Sequence, residues 1–295
     1  MKSNFIHILF MIFLPFAMAC SDAGSDSHNP AASSNANWQK LDKGLELGRF
    51  NAVNPSETGK ARVHILRIDP HLYQFQLINA SAAKNGHKQS AKKWCQKYNL
   101  ISAINASMYQ KDHKTSVSFM RSKNHINNAF VSKDKTILAF NPKKTSDPLV
   151  KMIDRECEDF DKWINRYGTF IQSIRMISCK KKNVWAQQPE RCSMAVIGID
   201  NKYRVLFIHT PSPYSAHDFI NTLLVLPIQI TQAMYVEGGL EAQLYIQTDE
   251  QTFEFTGGYD VNFKGNTQIA RPIPNVIGIK KRTVYQDKRN MLYEN

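Results

Sequence analysis

Glycine and proline are sparse, at 13 and 12 of 295 residues, which removes collagen-like and low-complexity readings. The five cysteines include no C-x-x-C pair, which argues against a zinc knuckle and a thioredoxin-like redox site. H-E-x-x-H, G-x-S-x-G, P-loop and G-x-G-x-x-G patterns are all missing, so the common zinc-protease, serine-hydrolase and nucleotide-binding signatures do not apply. His113, His125, His209 and His217 never fall four apart, which leaves a helix-borne metal site without support. A metal held by residues distant in sequence stays open, and no cofactor is expected. Acidic residues are the scarcer charge, 25 against 38 Lys plus Arg, and the net charge of +13 favours anionic surroundings. The lysines are not interleaved with aromatics, so no nucleic-acid partner is expected.

What is present is a globular composition, 42% hydrophobic and 21% charged, in a chain long enough to build its own core. Lys2 precedes an apolar run from Phe5 to Phe16, too short to span a bilayer, that ends in Ala17-Met18-Ala19-Cys20. This predicts an export signal over residues 1–19. Small residues before a cysteine resemble a lipoprotein lipobox, so Cys20 is the expected lipidation site and membrane anchor. Cleavage after Ala19 without lipidation is the alternative. Residues 20–58 are expected to be a flexible tether, 59–280 the folded domain and 281–295 a basic polar tail. The expected localisation is periplasmic or cell-surface. Four cysteines remain, and Cys179 with Cys192 is the preferred disulfide because the two flank a polar loop. Cys95 with Cys157 would then be the complementary bond.

From residue 59 onward short strands alternate with turns, and the fold class expected is one α+β domain, a largely antiparallel or mixed sheet packed with a few helices. Arg62–Ile68 and Leu72–Ile78, joined through Asp69-Pro70, read as a hairpin with one wet face. Ser90 to Tyr98 reads as a helix. Ser215 to Asp218 has a capping-box-like spacing ahead of a second, amphipathic helix that Pro227 stops. His209 reads as a strand-end residue and His217 as a first-turn helix residue.

Five segments then occur in a telling order: Ile104-Asn105-Ala106-Ser107-Met108-Tyr109 with the strand Ser116–Met120; Gln172-Ser173-Ile174-Arg175-Met176; Arg191-Cys192-Ser193-Met194-Ala195; Val236-Glu237-Gly238-Gly239; and Arg271-Pro272-Ile273-Pro274-Asn275. Together they resemble the phosphodiester glycosidase family, which includes N-acetylglucosamine-1-phosphodiester alpha-N-acetylglucosaminidase and exported bacterial members. The resemblance implies hydrolysis of a glycosyl phosphodiester to a free sugar and a phosphomonoester, with a sugar-phosphate or glycan as substrate. It implies Glu237 and Asn105 as catalytic candidates, the first to activate water or stabilise an oxocarbenium-like centre, the second to orient a sugar hydroxyl or help ligate an ion. Arg175 and Arg191 would bind phosphate through forked donors, with Gly238, Gly239 and Glu241 lining the substrate. Arg175, within an apolar run, equally suits a core carboxylate, and Arg191 an exposed loop. Glu237 stands where the family usually has Asp, Leu240-Glu241-Ala242 where it often has Gly-Ser-Ser, and Ser107 and Ile174 where it has glycines. The alternative reading is a catalytically silent envelope lipoprotein that binds a glycan or anionic cell-wall polymer.

Overall fold

The computed structural model describes residues 38–51, 62–258 and 269–283. The export signal, Cys20, most of the expected tether and nearly all of the basic tail lie outside the described residues. No described helix is long and apolar enough to cross a membrane.

Strands dominate. In chain order they are β1 (Trp38–Asp42), β2 (Leu45–Asn51), β3 (Arg62–Ile68), β4 (Tyr73–Asn79), β5 (Ser102–Asn105), β6 (Met120–Ser122), β7 (His125–Asn128) and β8 (Thr136–Pro142). There follow β9 (Val150–Asp154), β10 (Tyr167–Ile177), β11 (Cys192–Asp200), β12 (Val205–Tyr214), β13 (Ile230–Gly238), β14 (Gln243–Gln247), β15 (Thr252–Thr256) and β16 (Asn275–Lys281). Two α-helices, α1 (Ala91–Tyr98) and α2 (Ala216–Val225), complete the described elements apart from short 3-10 turns. The antiparallel sheet and the few helices are as expected, but with two α-helices among sixteen described strands the class is mainly β rather than α+β.

One sheet runs β1-β2-β3-β12-β11-β13-β10, with β6-β7 and β8-β9 continuing from β10. A second runs β15-β14-β5-β16-β4. Strand alternation explains how the two stack. Leu66, Phe207, Ile197 and Met234 of the large sheet meet Phe75, Ile104, Leu244 and Ile277 of the small one in a shared core. The opposite face of the large sheet, through Ile65, Val196 and Ile208, is covered by Phe219, Ile220 and Leu223 of α2. The outer face of the small sheet, through Ala103, Tyr245 and Val276, is covered by Ala91, Trp94 and Cys95 of α1. Both helices begin on serine. Ser90 Oγ accepts from Lys93 N–H at 3.3 Å and Ser215 Oγ from Asp218 N–H at 3.1 Å, satisfying amide groups that the helix itself leaves unpaired.

Three expectations are corrected. The expected hairpin does not exist, because β3 pairs with β2 and β12 while β4 pairs with β16. The Asp69 turn carries the chain from one sheet to the other, and β3 is buried on both faces because α2 covers what would otherwise be wet. Within the expected tether, residues 38–51 form β1 and β2, which extend the large sheet beyond β3; Leu45 and Leu47 enter the shared core.

The third correction is the disulfide, which joins Cys157 to Cys179 with a Cα–Cα distance of 6.6 Å. Asp154, at the end of β9, accepts from Arg175 Nη1 at 2.8 Å and from Cys179 N–H at 2.9 Å. These bonds draw the end of β10 to the turn that carries Cys157, whose own N–H bonds Asp154 O. Cys95 is a free thiol on the buried face of α1, and Cys192 starts β11 as a free thiol. Closing a loop between residues 22 apart in sequence stabilises by about 3 kcal/mol in the chain-entropy model. Non-reducing peptide mapping is expected to yield a linked Cys157–Cys179 peptide, and the double Cys→Ser variant to unfold at lower denaturant. A Cys179–Cys192 peptide would contradict the structure.

Candidate active site

The Glu237 segment owes its shape to a β-bulge. Ala195 pairs with Glu237 but Val196 with Tyr235, so Val236 is an extra residue on β13. A bulge of this kind re-aims the side chains beside it. Here it puts Glu237 across from Ala195, on the face that carries Ile197 and Phe207 into the shared core. Two glycines then end the strand. A Cβ at Gly238 would run into Tyr235 Oη and press on Cys192 Sγ. Gly239 has φ +64°, which glycine adopts without strain, and opens the 3-10 turn Gly239–Glu241.

Both sheets clamp that turn. From the small sheet, Asn105 Nδ2 donates to Glu241 O at 2.9 Å while its Oδ1 accepts from Gln243 N–H at 2.7 Å. From the large sheet, His209 Nε2 lies 3.3 Å from Ala242 O, an acceptor to which Gly257 N–H also donates at 2.9 Å. Gln243 extends the clamp toward α1, since its Oε1 accepts from Ala91 N–H at 2.9 Å and its Nε2 donates to Arg271 O at 2.6 Å.

Electrostatics single out Glu237. Burial drives its carboxyl up to about 8, the Gly238 N–H opposes that shift, and the nearby Glu241 charge adds to it. Glu237 therefore holds its proton at neutral pH. Glu241 is ion-paired, with its Oε1 3.0 Å from Arg271 Nη1. Beside them the Cys192 thiol is pushed up by burial and by the Glu237 charge, against hydrogen bonds from Gly239 N–H and the Tyr235 hydroxyl. A polar row crosses the same inner face: Arg49 pairs with His64, His64 with His209, His209 with Ala195, and Ala195 with Glu237. Phe255 stacks 4.0 Å from the His64 ring and closes the row from the small sheet. Burial lowers His64 to about 4, helped by Arg49 and Arg62, and lowers His209 to about 3, helped by His64. Both are neutral at pH 7, and the Nδ1 atom of each is buried without a hydrogen-bond partner.

The structure thus brings Glu237, Gly238, Gly239, Glu241 and Asn105 together. Arg175 goes elsewhere: its Nη1 lies 2.8 and 3.1 Å from the two Asp154 oxygens and its Nη2 3.8 Å from Glu156, the core-carboxylate alternative. Arg191 is exposed one residue before Cys192 and makes no ion pair among the described residues. Among the described residues, one set of three possible metal ligands has its atoms within 4.8 Å of one another, Asp154, Cys157 and Cys179. Its sulfurs share the disulfide and its carboxylate holds Arg175, so the donors are already occupied. Sequence reasoning missed Arg271, Gln243 and His209 as parts of the site. Arg271 was visible within the Arg-Pro-Ile-Pro-Asn segment; a histidine inside an apolar strand carries no comparable signal.

The family profile described as phosphodiester glycosidase matches residues 98–280, more than half of the chain and all of the clamped turn. The chain belongs to the phosphodiester glycosidase family. Among solved structures, the catalytic domain of zebrafish N-acetylglucosamine-1-phosphodiester alpha-N-acetylglucosaminidase, auto-inhibited by its pro-peptide, aligns with TM-score 0.62 at 11% identity, covering 83% of this chain and 86% of that one. A hypothetical protein from Synechocystis aligns with TM-score 0.54 at 12% identity, covering 83% and 63% respectively. No curated protein sequence matches. At these identities the two structures share the fold with this phosphodiester glycosidase family member, and its chemistry has to be read from its own residues.

Proposed function

We propose that the protein hydrolyses a glycosyl phosphodiester to a free sugar and a phosphomonoester, with Glu237 as the proton donor. The observation that carries this reading is the raised Glu237 carboxyl at a double-glycine turn beside Glu241, which is salt-bridged to Arg271. A carboxyl that burial keeps protonated, next to a second carboxyl held in a salt bridge, offers a proton donor and a proton acceptor at one turn. In the reaction the anomeric C–O bond breaks, and its electron pair leaves with the phosphate oxygen, which takes the Glu237 proton. Water attacks the anomeric carbon as positive charge develops there, and the Glu241 carboxylate accepts the water proton. The phosphate's negative charge beside Glu237 raises its proton affinity further, so substrate binding favours the acid form.

Asn105 acts on this reading by holding Glu241 and Gln243 in register, a positioning role. The sequence of residues 1–20 supports an exported protein tethered through a lipidated Cys20, which would place the site at a cell envelope. Purified protein offered a panel of sugar-1-phosphate diesters tests the activity by released reducing sugar. Turnover of at least one diester is expected. Absence of turnover on all of them, with glycan binding intact, would favour the silent binding protein instead.

A further inference from the structure

A cleft of about 600 Å³ opens beside the start of α1, on the outer side of the small sheet, and the mechanism above does not use it. It has the volume of a ligand site. Its lining includes His87, Lys88, Lys92 and Lys93 against one acid, Glu254, which lies 3.8 Å from Lys92. Lys88 and Lys93 make no ion pair among the described residues; Lys88 Nζ instead stands 5.8 Å from the centre of the Tyr109 ring, four residues after Asn105.

The cleft is coupled to the Glu237 turn through one side chain. Gln243 binds Ala91 N–H, next to the lining residue Ser90, and Arg271 O, next to the lining residue Pro272. Arg271 in turn pairs with Glu241. Gln243 and Arg271 thus link the cleft to the Glu241 turn, and a ligand that the cleft lysines hold would be negatively charged.

We infer that the cleft binds a second phosphate of the substrate, so that the substrate is a chain carrying repeated phosphodiesters rather than a single small diester. The inference rests on the proposed function for the first phosphate; the second is argued from the cleft. Two unpaired lysines and a histidine in a concave site recognise an anion by charge, and a polyanion held this way gives an affinity that falls with salt. The basic balance of the whole chain favours the same partner without locating it.

The test is a binding measurement that needs no turnover. The Glu237→Gln protein is titrated with a synthetic poly(glycosyl phosphate) octamer and with the corresponding single diester, at low and at physiological salt. The octamer is expected to bind at least tenfold tighter than the single diester, and more so at low salt. Adding Lys88→Ser, Lys92→Ser and Lys93→Ser is expected to abolish that advantage and flatten the salt dependence, with the melting temperature unchanged. A charge-matched control, Lys180→Ser with Lys181→Ser and Lys182→Ser in an exposed loop, is expected to keep it. Equal affinity for octamer and single diester, or equal loss in the control, would overturn the inference. Failure of every diester to turn over in the wild type overturns the proposed function instead, and the two failures are read from separate assays.

Discussion

Glu237→Gln is expected to lower kcat on a glycosyl phosphodiester by about 10²- to 10⁴-fold, the range for removal of a general acid, while substrate affinity stays within a few-fold. The amide keeps the shape of the side chain and the contact with Gly238 but cannot supply the proton. Wild-type activity is expected to fall as pH rises through about 8, where the carboxyl ionises, and this limb should vanish in the variant. Stability carries an independent signature. The carboxyl is raised from 4.5 in the unfolded chain to about 8, so the folded state binds the extra proton and loses the associated stability as pH climbs across that window. Glu237→Gln has nothing to ionise. Its melting temperature should match wild type near pH 4 and exceed it increasingly up to pH 9. Coincident melting curves at high pH would show that Glu237 is not desolvated.

Asp154→Ala is expected to destabilise the protein by about 3–5 kcal/mol, the cost of leaving one partner of a buried ion pair alone. Asp154 is 1% exposed, and besides Arg175 it accepts Cys179 N–H and Glu156 N–H, so three donors lose their acceptor together. At this chain length the loss corresponds to a fall in melting temperature of roughly 10 °C. The double variant Asp154→Leu with Arg175→Met removes both charges and should recover much of the loss, because no unpaired charge is left buried. Arg175→Met alone should cost stability and leave the substrate KM within twofold, since the Arg175 guanidinium is committed to Asp154 and Glu156. Thermal melts and steady-state kinetics on the same samples check both statements. A KM raised tenfold with unchanged stability would return Arg175 to the phosphate.

Local signals explain what the sequence made legible. Ser90 and Ser215 announce both helices because a serine at the cap satisfies a free amide, and the apolar runs of β11 and β12 announce strands buried on two faces. The Glu237-Gly238-Gly239 turn and Asn105 were visible as a pattern and meet in space. What failed was long-range pairing. Nothing within β3 or β4 says that they belong to different sheets, since that choice is made by β12 and β16 more than a hundred residues away. The disulfide failed for a related reason: Asp154 pulls Cys179 toward Cys157, and a carboxylate 25 residues away from Cys179 is not a local signal. The bulge at Val236 also escaped the pattern, although it puts the catalytic candidate opposite Ala195.

Hydrolysis in ¹⁸O-labelled water bears most directly on the central claim, that the bond cleaved is the anomeric C–O bond of a glycosyl phosphodiester. Mass spectrometry of the products after a single turnover is predicted to find the heavy oxygen in the released sugar and none in the phosphomonoester. Label in the phosphate would mean cleavage at phosphorus, and would contradict both the proposed reaction and the role of Glu237 in it.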